Sequence, residues 1–463
     1  MPILVILLLL CFIPPKAAYA HSDNHEIQMT KAGFVPQVIE IAKGESVTFK
    51  NIDSSLHWPA SNIHPTHKIY PEFDPLKGIA PGSSWSFKFD TSGQWRFHDH
   101  LYPEFTGSIS VKGEAKAVVL KDSNQVGILH QIMIDLKKLY YQIFKSALEK
   151  DLASVNLIKI ANDEQKLNYW LEILGGDRMM NKLLLDSKNG SDIDCHQEAH
   201  KIGRLAYKQY RADVFQGNNS SCHSGYYHGA MEAFLAEFGT DNLSEKINQL
   251  CSKFKTSFTN FECLHGVGHG VLAFEDYDLP QALKLCQTLN IPFAQDSCFG
   301  GVFMENIITS QGKGAKSGHE TKWVSSDPYF PCNGIDQNSN IQYQCYLMQS
   351  SRMLDLKNYS FSEVSKLCLD APLNMKTTCF QSLGRDAAGN KLRDPEKTLQ
   401  ICDQVDAFYY SNCVQGALNV IVDFWGEKLK NQAREFCQMV KPGQAQTQCF
   451  TTLSGRMKDV FAN

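Results

Sequence analysis

The cysteines of this 463-residue chain recur with a period near 35 residues over its C-terminal half. Six pairs have members 11 to 13 positions apart, and the first members of successive pairs lie 35, 46, 36, 34 and 35 residues apart. A period of this length with two helices per unit is typical of an αα-repeat array. We therefore predict a disulfide-stapled all-α array over residues 191–463, with each pair closing the neck of a helical hairpin. The predicted pairs are Cys251–Cys263, Cys286–Cys298, Cys332–Cys345, Cys368–Cys379, Cys402–Cys413 and Cys437–Cys449, and Cys195 with Cys222 is a further candidate pair.

Residues 1–20 have the pattern of a secretory signal peptide, a short apolar run followed by the small-residue site Ala18-Tyr19-Ala20. The run is shorter than the ~20 apolar residues that span a bilayer, and no later segment is suitable, so we do not expect an integral membrane protein. Cleavage near Ala20 removes Cys11 and leaves 14 of the 15 cysteines. An even number of cysteines in an exported chain indicates disulfide bonds. We predict a periplasmic or secreted protein.

Composition excludes two classes of protein. Hydrophobic residues make up 43% of the chain and charged residues 20%, which is typical of a globular protein and not of a disordered one. The formal net charge is -4, without the strongly basic domain that a nucleic-acid-binding protein would carry. We therefore expect no nucleic-acid partner.

Residues 26–112 differ from the rest of the chain because apolar and polar residues alternate there with period two. Gly and Pro residues separate these alternating runs. About 87 residues of this kind suit a single β-sandwich. The predicted strands are Val38–Ile41, Ser46–Phe49, Ser84–Phe89, Trp95–His98 and Ser108–Val111.

The order of motifs in this segment resembles the cupredoxin family. The motifs are G-F-x-P at Gly33–Pro36, a strand ending in Asn51 and followed by His57, I-x-P-G-x-S at Ile79–Ser84, G-x-W-x-F at Gly93–Phe97, and a His-containing loop before Gly107. Plastocyanin-like members hold copper with the His after the Asn-containing strand and with a Cys, a His and a Met of the last loop. Counting back from Gly107 puts the loop His at His100, the Cys position at Phe97 and the Met position at Phe105.

The resemblance implies copper, but residues 26–112 contain no Cys, and a blue-copper centre requires a Cys thiolate. We predict instead a type 2-like Cu2+ site at His57, His98 and His100, because residues 98 and 100 of an extended chain point to the same face. The H-x-H string also looks like segments of multicopper oxidases and copper nitrite reductases. Further candidate ligands or supporting groups are His64, His67, Asp99, Tyr102 and Glu104. The alternative is a metal-free sandwich whose histidines lie on the surface.

The chain after the sandwich is predicted to be helical. Residues 114–190 form a helical connector, with one long amphipathic helix from Gln125 to Asp151 and a second around Leu167–Leu185. The array that follows resembles the cysteine-rich Sel1-like repeat proteins in its period and in its one disulfide per hairpin. This resemblance implies the architecture only.

Six histidines lie between positions 196 and 269, and five of them are the candidate ligands His196, His200, His228, His265 and His269. Two of the pairs have i,i+4 spacing, which puts both imidazoles on one helical face where they can share a metal ion. Because equivalent positions on stacked repeats line one surface, we predict a second metal site, for zinc, copper or iron. Glu198, Glu232 and Glu305 are candidate carboxylate partners. The alternative is that these histidines cap helices in a tightly packed, Gly-rich interface.

Three functions remain open at this point. The leading hypothesis is an exported copper-binding protein that handles copper. The first alternative is a metal-dependent oxidoreductase or hydrolase with a His/Glu site in the repeats, so the sequence does not decide whether the protein is an enzyme. The second alternative is an extracytoplasmic interaction module that binds a periplasmic protein partner through the array.

Overall fold

The computed structural model has an N-terminal β-sandwich followed by a helical region, as the sequence predicts. It describes residues 24–62, 67, 70, 72–102, 105–112, 152–187, 195–216, 222, 224–252, 254, 257–310, 321–335, 338–390, 394–425 and 430–461. The predicted signal peptide and the predicted helix from Gln125 to Asp151 lie outside the described residues. Within the described residues, no helix has the length and apolar character needed to cross a membrane.

The sandwich consists of two four-stranded sheets. One has the strand order β2-β1-β4-β6 and the other β3-β8-β7-β5, with parallel pairing of β1 with β4 and of β3 with β8. The strands are β1 (Asn24–Thr30), β2 (Gly33–Val35), β3 (Val38–Ala42), β4 (Ser46–Asn51), β5 (Pro59–Ser61), β6 (Ser84–Lys88), β7 (Gly93–Asp99) and β8 (Thr106–Lys112). All five predicted strands are present. Strands β1, β2 and β5 were not predicted, and two of these have only three residues, which is too short for a period to be recognised.

Aromatic side chains fill the space between the two sheets. Phe49 of β4 and Phe97 of β7 are fully buried, and their ring centroids lie 5.2 Å apart in an edge-to-face arrangement. Phe34 of β2 contacts Phe97 in the same way at 4.7 Å. Because alternate residues of a strand point to opposite faces, the inward position of Phe97 fixes which residues of β7 face away from this core.

The connector contains two short helices where the sequence predicted one around Leu167–Leu185. Helix α1 (Leu157–Ile160) is followed by α2 (Glu164–Leu174) and α3 (Gly176–Asp186). The single-helix prediction is wrong because Gly175 between them has φ 72°, a left-handed conformation that favours glycine and ends a helix.

Short and long helices alternate through most of the array, and the long ones stack in chain order. The helices are α4 (His196–Tyr210), α5 (Gly225–Phe238), α6 (Leu243–Cys251), α7 (Ser257–Phe274), α8 (Leu279–Gln287), α9 (Pro292–Ser310), α10 (Ser339–Leu356), α11 (Phe361–Asp370), α12 (Lys376–Asn390), α13 (Pro395–Cys402), α14 (Tyr410–Trp425), α15 (Lys430–Met439) and α16 (Gln444–Phe461). Helices α4, α5, α7, α9, α10, α12, α14 and α16 contact one another in that sequence. Helix α16 also contacts α7, so the array curves back on itself.

The six predicted disulfides are confirmed, and Cys195 pairs with Cys222 as a seventh. Their Cα–Cα distances lie between 5.4 and 5.8 Å, within the usual range for a disulfide. Cys251 at the end of α6 joins Cys263 within α7, for example, so the bond closes the neck of a hairpin as predicted. In the chain-entropy model, closing a loop of a dozen residues contributes roughly 3 kcal/mol.

Glycines allow the backbones of neighbouring long helices to approach closely. A Cβ atom on Gly384 of α12 would lie 1.8 Å from the carbonyl oxygen of Cys413 in α14, and one on Gly416 would lie 1.8 Å from that of Gln381. Any side chain would be too large for this contact, so the spacing of α12 and α14 depends on these two positions.

We expect Gly384→Ala to destabilise the array by about 1–3 kcal/mol, because the added methyl group overpacks a backbone contact. Gly389→Ala in the same helix is the matched control, since a Cβ there meets nothing within 4 Å. Its midpoint of thermal unfolding should stay the same or rise. Circular dichroism on the two oxidised proteins tests this, and equal midpoints would contradict the packing argument.

The sandwich contacts the array through strand β7. Arg96 pairs with Glu275, which directly follows α7 and is only 2% exposed, and the Arg96 guanidinium lies 5.8 Å from the ring centroid of Phe274. Burial raises the pKa of Glu275, while the charge of Arg96 opposes that rise. Gly239, after α5, packs so closely on β7 that a Cβ there would lie 3.2 Å from the Cβ of Gln94. Strand β7 therefore contacts the ends of two array helices.

Replacing Arg96 with Met should destabilise the protein by about 3–5 kcal/mol, because a buried carboxylate then has no counter-charge. The double variant Arg96→Met/Glu275→Gln should lose less than the sum of the two single variants, as expected for directly coupled groups. Lys88→Met is the control, since Lys88 pairs with Asp90 on the exposed surface and such pairs contribute at most ~1 kcal/mol. Additive losses in urea unfolding would contradict the contact.

Candidate metal centres

Three histidines converge in the sandwich, and we name the group His67, His98 and His100 the sandwich centre. Their candidate ligand atoms all lie within 4.8 Å of one another. His98 belongs to β7, His100 follows that strand directly, and His67 lies in the segment after β5. Nε2 of His67 and Nδ1 of His100 are 3.0 Å apart. The structure thus unites two of the three predicted ligands with a histidine that the sequence offered only as a further candidate.

Hydrogen bonds on the outer side orient two of these rings. Nδ1 of His67 donates to a carboxylate oxygen of Asp74 at 2.5 Å, and Nδ1 of His98 donates to the amide oxygen of Asn62 at 3.0 Å. Because each Nδ1 carries the hydrogen, each Nε2 presents a lone pair, which is the arrangement that a metal-ligating histidine needs. Burial, with a contribution from His67, lowers the pKa of His100, so that ring is neutral near pH 7.

Asp74 is held in turn by its own partners. The indole N–H of Trp58 donates to the second carboxylate oxygen at 2.8 Å. Burial raises the pKa of Asp74, but hydrogen bonds from His67 and from the backbone of Leu76 outweigh it, so the pKa is lowered overall. Asp74 therefore remains an anion that can orient His67. Sequence analysis missed this residue, and no motif marks it.

His57 lies outside the sandwich centre. Nδ1 of His57 bonds to Oδ2 of Asp99 at 2.5 Å and its Nε2 bonds to Oδ2 of Asp53 at 3.1 Å, so carboxylates engage both ring nitrogens. The centroids of the Tyr102 and Phe105 rings lie 5.6 and 6.4 Å from that of His57. Asp99 is fully buried and also accepts the backbone N–H groups of Trp58 and Leu101.

The positions counted back from Gly107 need correction. Phe97 cannot occupy the Cys position because its side chain is buried in the core between the sheets. Asp99 is the residue of β7 that faces His57. In the loop, Tyr102 and Phe105 lie beside His57, and the predicted His100 does not. A carboxylate, a phenol and a phenyl ring around His57 do not fit a blue-copper centre, which needs a thiolate.

The alternative expects surface histidines, but His57 and His98 are each 1% exposed and His67 is 5% exposed, while His100 is half-buried. Two of the further candidates, His64 and Glu104, lie outside the described residues. The histidines at these positions lie in two different environments. One imidazole is held between carboxylates, and three others face each other.

All five histidines predicted for the array lie together, and with Glu305 we name them the array centre. They come from three helices, His196 and His200 from α4, His228 from α5, and His265 and His269 from α7, while Glu305 belongs to α9. Overlapping groups of three have candidate ligand atoms within 4.8 Å of one another. Every member is at most 5% exposed. Glu198 belongs to none of these groups.

Acceptors on the outer side orient the histidines of the array centre as well. Nδ1 of His196 donates to the carbonyl oxygen of Cys222 at 2.8 Å, and Nδ1 of His200 donates to Glu232 at 2.5 Å. Nδ1 of His269 likewise donates to Glu305 at 2.8 Å. The Nε2 atoms of these rings therefore face the interior of the cluster.

Three imidazoles of the array centre are neutral near pH 7. Burial lowers the pKa of His265 to about 4 and holds those of His228 and His269 well below the usual value. Burial also raises the pKa of Glu305 to about 7. For Glu232, burial raises the pKa, but His200 and Arg204 outweigh it and lower the value to about 2. Neutral imidazoles are the form that binds metal ions.

Two further residues support this cluster and were not predicted. Arg204, one turn after His200 on α4, donates to Glu232 at 2.5 Å, and the hydroxyl group of Tyr277 donates to Glu305 at 3.2 Å. The i,i+4 spacing of Arg204 from His200 is a signal that could have indicated the first contact. Tyr277 follows α7 and carries no such signal.

Comparison with known proteins agrees with the fold of the N-terminal domain. Residues 2–111 match the family model of the cupredoxin-like domain. Similar solved structures include a purple cupredoxin from Nitrosopumilus maritimus, 22% identical and covering 19% of this chain and 99% of its own, and a mutant plastocyanin of a fern, 20% identical with 19% and 99% covered. A copper-containing nitrite reductase from Thermus scotoductus SA-01 is 23% identical, with 19% and 22% covered. The TM-score is 0.17 in each case.

The search of curated proteins gave no match. The fold defines the N-terminal part of the chain as a two-sheet β-domain with buried imidazoles. With the family match, it is a cupredoxin-like domain, and the resemblance seen in the sequence is confirmed. The family match ends at residue 111, so it does not include the helical region.

Asp99→Ala should destabilise the cupredoxin-like domain by about 3 kcal/mol, because the buried ring of His57 and two part-buried backbone N–H groups lose their acceptor. Asp53→Ala removes only one partner of His57 and should cost clearly less. Urea unfolding followed by tryptophan fluorescence measures both losses. Equal losses would contradict the assignment of Asp99 as the main buried acceptor.

Proposed function

We propose that the protein is an exported copper-binding protein that handles copper through its cupredoxin-like domain. The proposed site is the sandwich centre, so His67 takes the place that His57 had in the sequence-based ligand set. One observation carries this proposal: two buried imidazoles and one half-buried imidazole have their ligand atoms within 4.8 Å of one another, and outer hydrogen bonds orient two of the rings. Three nitrogen ligands suit Cu2+, which the general order of affinities favours over other divalent ions.

The distances within the sandwich centre fit a shared ion. Metal–nitrogen bonds of about 2.0–2.1 Å in a tetrahedral site separate two ligand nitrogens by about 3.3 Å. The 3.0 Å between Nε2 of His67 and Nδ1 of His100 is close to that value. Such a site would be type 2-like, since it has no thiolate. This donor set supports binding or delivery of copper rather than the long-range electron transfer of a blue-copper centre.

The disulfides support the exported part of the proposal. Seven disulfides fit an oxidising compartment, because reducing systems keep most cytosolic thiols free. The predicted signal peptide gives the route, and the periplasm or the exterior is the proposed location. A periplasmic protein partner of the array stays a prediction.

The array centre supports a second candidate function, a metal-dependent oxidoreductase or hydrolase. The observation that favours it is Glu305, a buried carboxylate whose pKa is raised to about 7 by burial and which contacts His269. A group that titrates near neutral pH can serve as a general acid or base. Copper handling needs only the sandwich centre, whereas an enzyme of this kind would lose turnover when His269 is replaced.

To test copper handling, the mature protein is purified from a periplasm and titrated with Cu2+ against a competing chelator. Asp74→Asn should weaken copper binding by about 10–100-fold, the usual effect of removing the hydrogen-bond partner of a ligand. His98→Gln/His100→Gln should abolish the copper signal of the sandwich centre in electron paramagnetic resonance. His25→Gln is the matched control and should bind as the wild type does, because His25 pairs with Glu45 away from the centre.

His57→Gln distinguishes the ligand set predicted from the sequence, which contains His57, from the sandwich centre, which contains His67. If His67 is the ligand, this variant keeps its copper although it is less stable. Loss of copper from His57→Gln while it still has the far-ultraviolet circular dichroism of the wild type would return His57 to the ligand set. Retention of copper by His98→Gln/His100→Gln would overturn the sandwich centre as the copper site.

A further inference from the structure

The array centre contains two copies of one arrangement, a pair of histidines on one helix and a glutamate on the next long helix. In the first copy, the i,i+4 pair His196 and His200 lies on one helix, and Nδ1 of the second histidine donates to Glu232 on the next long helix. In the second copy, His265 and His269 form the i,i+4 pair, and Nδ1 of the second histidine donates to Glu305 on the next long helix.

The first histidine of each copy is held differently. Nδ1 of His196 donates to the carbonyl oxygen of Cys222, whereas Nδ1 of His265 has no hydrogen-bond partner. The repeat has therefore duplicated a His-x-x-x-His pair together with the hydrogen bond of its second histidine to a glutamate.

The geometry of the first pair favours a cation between its rings. Nδ1 of His196 faces a carbonyl oxygen and Nδ1 of His200 faces the Glu232 carboxylate, so both Nδ1 atoms carry the hydrogen. Their Nε2 atoms then present lone pairs to each other across only 3.1 Å. Two lone pairs at that distance repel, whereas one tetrahedral ion would hold its ligand nitrogens about 3.3 Å apart.

The second pair and His228 leave further lone pairs buried. Nε2 of His269 and Nδ1 of His265 have no hydrogen-bond partner, and neither nitrogen of His228 has one. All three residues are at most 5% exposed. The ring of His228 stacks on that of His269 with centroids 3.8 Å apart, so His228 lies next to the second pair. A ligand atom of His228 also lies within 4.8 Å of those of the first pair. A buried polar atom without a partner costs about 1–3 kcal/mol.

One ion cannot satisfy all of these nitrogens, because a tetrahedral site takes four ligands and five imidazoles converge here. We propose that the array centre holds two divalent transition-metal ions, one on His196 and His200 and the other on His265 and His269, with His228 between them. Glu232 and Glu305 orient one pair each. The inference rests on metal binding by the array centre, as the second candidate function does, and is independent of copper in the sandwich.

The test counts zinc ions in the full mature protein that carries His98→Gln/His100→Gln, so that the sandwich centre does not contribute. After loading with Zn2+ and removal of excess, native mass spectrometry should give two zinc ions per chain. Further replacement of His196 and His200 by Gln, or of His265 and His269, should leave one ion in each case. Glu198→Gln is the matched control on α4 and should keep both ions, because Glu198 belongs to no ligand group.

A second measurement needs no variant within the array. Two Cu2+ ions held by adjacent histidine pairs should show magnetic coupling, so the electron paramagnetic resonance signal should account for much less than the copper bound. One ion per chain, lost from both pair variants, or an uncoupled signal equal to the bound copper, would overturn the two-ion inference and leave a single metal site. No bound ion would overturn the array centre as a metal site and with it the second candidate function.

Discussion

Hydrogen bonds to the outer nitrogens of buried histidines are the interaction on which the rest of this account depends. Asp74, Asn62, Glu232, Glu305 and the carbonyl oxygen of Cys222 each accept from one Nδ1, which turns the Nε2 atom toward a neighbouring imidazole. Burial lowers the pKa of His269 and of the neighbouring rings of His228 and His265, because a charged imidazole is costly away from water. The same arrangement occurs on a β-sandwich and on a helical array, two unrelated folds.

The scaffold holds these rings with backbone contacts that tolerate little change. Disulfides connect the helices within each hairpin, and glycines bring the stacked helices close together. At Gly229, a Cβ would lie 1.9 Å from the carbonyl oxygen of His200, so the close approach occurs at the array centre itself. Strand β7 carries His98 and, through Arg96, contacts Glu275 beyond the end of α7, which carries His265 and His269. The two centres are therefore connected through one strand, one buried ion pair and one helix.

Much of this architecture was predictable because it depends on local, periodic signals. The cysteine period led to six disulfides, and the i,i+4 pairs at equivalent positions of stacked repeats predicted correctly that five histidines lie together. The errors arose at a long loop and at loop positions that were miscounted by two residues. His67 lies in a segment without periodicity, so its place in the sandwich centre could not be predicted. The count across a loop of variable length put the Cys position at Phe97, whereas the contact of Asp99 with His57 puts that position at Asp99. The break at Gly175 likewise depends on one backbone angle.

The most direct test of the central claim is anomalous diffraction from crystals of the mature protein loaded with copper, recorded on both sides of the copper absorption edge. The account predicts one peak bounded by His67, His98 and His100 and two more between the histidine pairs of the array. A peak beside His57 and Asp99, or histidine clusters without any peak in copper-loaded crystals, would contradict it.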